Sequence, residues 1–443
     1  MHPFIPNTAE DRDKMLKELG VSSFRELLKD IPDDLFYDGE IELEDALSEQ
    51  EVEALLKDIA SMNKTLKVFA GGGAYDHYVP KVVDYIAKRP EFYTAYTPYQ
   101  AEVSQGTLRV IFEFQTMISN LTGLDVTNAS MYDGASALGE ALLMAIRIKR
   151  KNKVVISKGI NPRYREVIET YLDGPGAEIV YVDYDKESGM TDVEKIEDAL
   201  KDASALLIQH PNYFGVLEDM ERVASIAKKQ DVLLLQHYYP TALGLLKKPS
   251  CYGVDIATAE GQPFGIHLNF GGPYIGLFST KKEYVRQMPG RLVGETIDIN
   301  GNKGYVMTLQ TREQHIRRER ATSNICSNQN LCALRVLVYL SIYGKKGLSK
   351  VAKIAFTKAH YLLDKLESLD VAHRAFKGAF FNEFVINLNN IEAAEFIDKM
   401  VEKGIFPGID LGGNRLLVAV TEKRSFKEID EYVELSKQIV GEN

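Results

Sequence analysis

Apolar positions recur at helical spacing in short stretches through roughly the first sixty residues, separated by polar turns. Ser23 with Glu26, and Ser48 with Glu51, have the spacing at which a serine and a glutamate satisfy each other's free N–H groups at a helix start. Residues 1–65 are therefore expected to form an N-terminal helical arm. Gly71, Gly72 and Gly73, then a tyrosine-rich stretch from Tyr93 to Tyr99, interrupt the periodicity and lead into a helix predicted over 107–121. From 126 to 280 the pattern changes: short β-branched runs at 153–157, 178–182, 205–209, 232–236, 255–258 and 274–279 alternate with helical stretches. That alternation predicts right-handed β-α-β crossovers and a mostly parallel sheet covered on both faces. Beyond 325, a long apolar helix over 330–343, a second helix and strands near 383–388 and 415–420 predict a smaller α+β domain. The expected class is α/β: an arm over 1–65, a large α/β domain over 66–325 and a small α+β domain over 326–443.

Composition narrows the function classes. The 443 residues, 45% hydrophobic and 26% charged, suffice for a large core with a second domain. The formal net charge of −10 comes from cations and carboxylates mixed along the chain, so neither nucleic acid nor an anionic membrane surface is expected as a partner. The first ten residues have no basic region followed by an apolar stretch, and no uninterrupted apolar run approaches the ~18 residues of a membrane span. A cytoplasmic protein is expected. Cys251, Cys326 and Cys332 are odd in number and lack paired C-x-x-C spacing, so they read as reduced, buried thiols, and no metal site is expected. No phosphate-binding P-loop or G-x-G-x-x-G fingerprint occurs.

Three stretches carry a resemblance: YTPYQAEVSQG from Tyr96 to Gly106, HPNYFGVLED from His210 to Asp219, and TREQHIRRERATSNICSNQ from Thr311 to Gln329. Each is similar to the glycine decarboxylase family, the P-protein of the glycine cleavage system. FGGPYIG from Phe270 to Gly276 and VTEKRSFKEID from Val420 to Asp430 support the match, while Ala101 stands where the family usually has Pro and Arg320 where it usually has Lys. The resemblance implies a fold-type I pyridoxal-phosphate-dependent transferase-like fold. It also implies a reaction in which glycine loses its carboxyl group as CO2 and its aminomethyl group passes to the lipoyl arm of H-protein. That chemistry requires a lysine for the cofactor's Schiff base, a phosphate cradle and an acid opposite the pyridine nitrogen.

Each anchor is altered here. No lysine occurs between Pro249 and Thr280, and counting back from the Gly-Gly-Pro turn puts Gln262 near the Schiff-base position. The strand that should end in the acid reads Leu235, Gln236, His237, and neither Gln236 nor a neutral His237 supplies a negative charge. The natural phosphate cradle is the helix start at Asp133-Gly134-Ala135-Ser136, where Asp133 is itself an anion. The split form of the family accommodates these losses, pairing an N-terminal-type chain with a lysine-bearing one. By resemblance, then, this chain is subunit 1 of a two-chain enzyme and carries no complete catalytic set. The partner, subunit 2, would bind the pyridoxal phosphate, two copies of each chain would assemble, and the complex would act on glycine with lipoylated H-protein.

The resemblance also implies that Tyr96, Tyr99, Gln100, Glu102, Ser104, Gln105, His210, Arg312, His315, Arg317 and Arg318 contribute to an active site between the subunits. Plainer readings stand beside this one. The tyrosines serve equally as packed aromatics with paired hydroxyls, the basic run as a solvated helix face beside Glu313 and Glu319, and His210 as a cap for the loop after its strand. Two other classes are an autonomous fold-type I enzyme, against which the missing lysine counts, and a structural or regulatory paralogue.

Overall fold

The β-branched runs between 126 and 280 pair into one seven-stranded sheet in this computed structural model, which describes residues 6–37, 39 and 41–441. The strand order is Val126–Thr127, Gly276–Thr280, Ile256–Glu260, Leu233–Tyr238, Ala205–His210, Lys153–Ser157, Glu178–Val182. Five neighbours from Ile256–Glu260 to Glu178–Val182 run parallel, and Gly276–Thr280 is antiparallel to both its neighbours. The mostly parallel, doubly covered sheet is thus present. Along Leu233–Tyr238, Leu234 and Tyr238 pack into the core on one face, with residues of the helices Gln105–Thr122 and Met220–Lys229. Leu233 and Leu235 pack on the other face with residues of Gly134–Lys149 and Pro162–Asp173. This period-two alternation decides which polar residues of the strand look into which layer.

A second sheet, antiparallel and four-stranded, is ordered Ala372–Arg374, Glu383–Leu388, Arg415–Ala419, Ile409–Asp410. Its core includes Leu362, Leu366, Phe396, Met400, Ile429 and Tyr432 from three helices. One of them, Asn330–Ser368, joins the two cores: Val336, Leu337 and Tyr339 pack with the large sheet, Ala359 and Leu362 with the small one. The helix is broken at Gly344, whose φ of 54° and ψ of −171° are not helical, so the two predicted helices meet there.

Residues 1–64 form a separate unit. Its helices Ala9–Glu18 and Glu49–Ser61 open on reciprocal capping boxes, Thr8 with Asp11 and Ser48 with Glu51, and neither has a buried residue. The box expected at Ser23 and Glu26 is absent. Phe24–Leu28 is a 3-10 turn with fewer residues per turn than an α-helix, and the Glu26 carboxylate accepts instead from the backbone N–H and the hydroxyl of Ser22. The cysteines also differ from expectation: Cys332 is buried, but Cys251, in the 3-10 turn Pro249–Tyr252, and Cys326 are exposed. Among the described residues, no helix is long and apolar enough to cross a membrane.

Candidate functional site

The helix Gly134–Lys149 starts under the end of the Ile256–Glu260 strand and presents the free N–H groups that make a helix start an anion site. They are occupied from within the chain. Asp133 is the N-cap: its Oδ1 accepts from the Ser136 N–H at 2.7 Å, and its own N–H donates to Ser136 Oγ at 3.1 Å. Glu260 crosses to the same helix end. Its Oε2 accepts from Gly134 N–H at 2.9 Å, and its Oε1 from Gln262 N–H at 3.0 Å and Ile275 N–H at 3.1 Å. Burial pushes the Glu260 carboxyl up to about 8, against the three N–H donors that favour its charged form.

Gln262 is 1% exposed and fully engaged. Its Oε1 accepts from Tyr75 N–H at 2.8 Å, while its Nε2 donates to the carbonyls of Tyr75 at 3.0 Å and Ile266 at 2.8 Å. It therefore clamps the segment that follows the glycine run. There Glu383 accepts from Gly72 N–H at 2.6 Å and from the Tyr75 hydroxyl at 2.8 Å, and burial pushes its carboxyl up to about 7. A Cβ on Gly71 would stand 2.3 Å from Glu383 Oε1, so glycine is required by close approach.

At the expected ring position, strand alternation puts His237 on the layer of the Gly134 and Pro162 helices, edge-on to Tyr164 at 5.3 Å. Its Nδ1 lies 3.0 Å from Thr258 Oγ1, and burial pushes it down to about 3, so it is neutral. Gln236 belongs to the other face, fully buried, with neither end of its amide hydrogen-bonded. A cavity of about 480 Å³ remains among Tyr132, Asp133, Asn161, Tyr164, Glu260 and Tyr274. These residues do not fit pyridoxal phosphate: the carboxyl groups of Asp133 and Glu260 already hold the helix-start N–H groups, an engaged amide stands near the expected lysine position, and the strand end offers the neutral His237 in place of an acid.

The remaining expected site residues divide. Tyr96 is 79% exposed, and Gln100, Glu102, Arg317 and Arg318 are also exposed, as is Tyr93. Ser104 precedes the helix Gln105–Thr122 without a side-chain capping bond. Tyr99 and His315 come together edge-on at 5.6 Å, both about half-exposed. Three others make bonds within the chain. Gln105 gives its amide to the carbonyls of Ala101 and Tyr305 and accepts from Tyr305 N–H, which fixes the Lys303–Thr308 strand to the helix start. Arg312 spends its guanidinium on the carbonyls of Leu309, Met288 and Gly290. His210 is buried beside Tyr252, accepts from Glu218 N–H at 3.1 Å and is pushed down to about 4 by burial, so it caps its loop as a neutral ring.

Sequence reasoning missed Glu260, Tyr75, Glu383 and Arg291. Arg291 is buried, and its guanidinium reaches the Tyr99 hydroxyl at 3.0 Å. Only the glycine run signalled a close approach near Glu383, and no local pattern marked the other three.

A family model described as glycine cleavage system P-protein matches residues 2–435. The chain is 49% identical over 439 residues to the probable glycine dehydrogenase (decarboxylating) subunit 1 of Chlorobium limicola, covering 98% of this chain and 99% of that one. It is 48% identical to the protein of the same name from Carboxydothermus hydrogenoformans, covering 98% of each. Among solved structures, a glycine decarboxylase (P-protein) of the glycine cleavage system, in inhibitor-bound form, has a TM-score of 0.90 at 38% identity over 98% of this chain and 99% of that one. A Lactobacillus brevis glutamate decarboxylase, at 15% identity and a TM-score of 0.71 over 92% and 96%, shares the fold.

Proposed function

Because the chain belongs to the glycine cleavage system P-protein family, we propose that it works as the first of two subunits of a glycine decarboxylase whose second, lysine-bearing subunit holds the pyridoxal phosphate. The fold is that of fold-type I pyridoxal-phosphate enzymes, with the cofactor anchors exchanged for internal ones. One observation carries the division of labour: Glu260 and Asp133 satisfy the N–H groups at the start of the Gly134–Lys149 helix that a phosphate would need. An added phosphate would have to displace the buried Glu260 carboxyl from those N–H groups and would meet the negative charge of Asp133 beside them.

The chain's contribution to chemistry then lies outward. Tyr96, Tyr99, Gln100, Glu102, His315, Arg317 and Arg318 are all at least partly solvent-exposed, and Ser104 adds a side chain at a helix start. Facing the partner's cofactor, such groups would orient glycine and exclude water, which is how positioning residues lower a barrier. Gln105 and Arg312 brace the segments beside these groups, and His210 holds the loop after its own strand. In the assembled enzyme, with two copies of each chain, glycine would lose its carboxyl as CO2 and its aminomethyl group would pass to lipoylated H-protein. The odd, unbridged cysteines suit a reducing compartment, and we place the complex in the cytoplasm.

The test is reconstitution. Purified alone, the chain should show no visible cofactor absorbance with pyridoxal phosphate and no glycine-dependent CO2 exchange with lipoylated H-protein. Mixed with its lysine-bearing counterpart, it should give exchange above that of the counterpart alone. Activity in the isolated chain, or a counterpart equally active without it, would overturn the proposal.

A further inference from the structure

Arg291 and Arg312 lie near one another in the fold but are held in different ways. Arg312 donates only to backbone carbonyls, as an arginine that braces a loop does. Arg291, 6% exposed, reaches four other residues that lie 35 to 194 positions from it in sequence, three of them through side chains. One terminal nitrogen donates to the Tyr99 hydroxyl at 3.0 Å and to the Cys326 carbonyl. The other lies 3.3 Å from Thr97 Oγ1 and 3.5 Å from Asn328 Oδ1. Its Nε stands 3.6 Å from Glu313 Oε2, the same oxygen that lies 3.6 Å from His315 Nδ1. The guanidinium carbon is 5.4 Å from the centre of the Tyr99 ring. A single buried cation thus ties the segment of Thr97 and Tyr99 to that of Glu313 and His315, and both to the turn at Cys326 and Asn328.

The direction of one bond matters for chemistry. Since the Tyr99 hydroxyl accepts from Arg291, its own proton is free to donate, and the ring is half-exposed beside His315. The pair is open on its outer side.

Resting on the reading above, that this chain completes a partner's active site, we propose that Arg291 is a positioning residue: it fixes Tyr99 and His315 as a donor pair aimed at the partner's reaction centre. A lysine at 291 would keep a positive charge beside Glu313 but lose the planar fork that spans Tyr99, Thr97 and the Cys326 carbonyl. The test is a double-mutant cycle on the reconstituted two-chain enzyme, scored as kcat per assembled complex, with assembly checked by gel filtration. Arg291→Lys should lower kcat by about 10- to 100-fold with assembly intact. In a Tyr99→Phe background, Arg291→Lys should cost no more than about threefold further, because the hydroxyl it holds directly is gone and only the longer link to His315 through Glu313 remains. An equal loss in both backgrounds, or wild-type rates for Arg291→Lys, would overturn the proposal while leaving the subunit reading intact. If the wild-type mixture itself shows no exchange, it is the subunit reading that fails. Should Arg291→Lys not assemble, Glu313→Gln loosens Arg291 without removing it, and the same cycle decides: a loss that vanishes in the Tyr99→Phe background supports the proposal, and an undiminished one overturns it.

Discussion

Glu260 meets the start of the Gly134–Lys149 helix with a group that can also lose its charge. Its carboxyl is pushed up to about 8 from an ordinary 4.5 because burial outweighs three N–H donors. The folded chain therefore keeps a proton there that the unfolded chain releases, and stability is lost as pH rises from about 4.5 to about 8, then levels. One such group contributes at most about 1.4 kcal/mol per pH unit. Glu383, pushed up to about 7, adds a similar slope, but it is present in a Glu260→Gln variant as well and cancels in the comparison. In urea titrations from about pH 5 to about pH 9, the stability of the wild type relative to Glu260→Gln should decline towards pH 8 and stay flat above it. A difference that does not change with pH would mean that Glu260 is ionised throughout and that the helix start outweighs desolvation. At this scale the sequence was readable wherever a residue could be counted from a local landmark. Asp133 follows from its helix start, and Gln262 from the Gly-Gly-Pro turn. Glu260 and Arg291 could not be read that way, because their partners lie 126 and 192 residues away, at Gly134 and Tyr99.

Elements were more legible than residues, since hydrophobic period reports the face a segment buries. The runs at 153–157, 178–182 and 383–388 are strands over those same residues. The run expected to end at 258 extends to Glu260, which moves that carboxylate from a loop to a strand end beside the helix start. Apolar pattern weakens at such ends because the residues there bond to other elements instead of packing. The break between the helices after 343 was also legible, and its cause is Gly344: a φ of 54° with a ψ of −171° is open to almost no residue but glycine. A Cβ there would meet nothing within 4 Å, so Gly344→Ala isolates backbone strain from packing. The substitution should cost about 1 to 3 kcal/mol, read as a lower urea midpoint at unchanged slope. A raised midpoint would mean that the helix continues through 344, where alanine gains about 1 kcal/mol over glycine.

At the scale of the whole molecule, the groups left without internal company are as informative as the cores. Phe270 is 97% exposed on the loop that Gly271 and Gly272, with φ of 91° and 109°, turn back towards the cavity beside Tyr274. Asn269 stiffens this loop, accepting from Phe270 N–H at 3.0 Å and donating to the Gly272 carbonyl at 2.8 Å. A large ring held outward on a braced turn finds no apolar cover among the described residues, and burial of such a ring is worth about 1.5 to 3 kcal/mol. If the second subunit supplies that cover, Phe270→Asp should separate folding from assembly. The isolated variant should unfold within about 0.5 kcal/mol of wild type, as surface substitutions do. Its affinity for the partner should fall by roughly tenfold to more than a hundredfold, the equivalent of the lost burial, with the new charge adding to the loss. Denaturant titration of the chain alone and sedimentation of the mixture read the two quantities separately. Unchanged affinity would put the Asn269–Tyr274 turn outside the subunit contact, and a destabilised isolated chain would mean that Phe270 packs within its own fold.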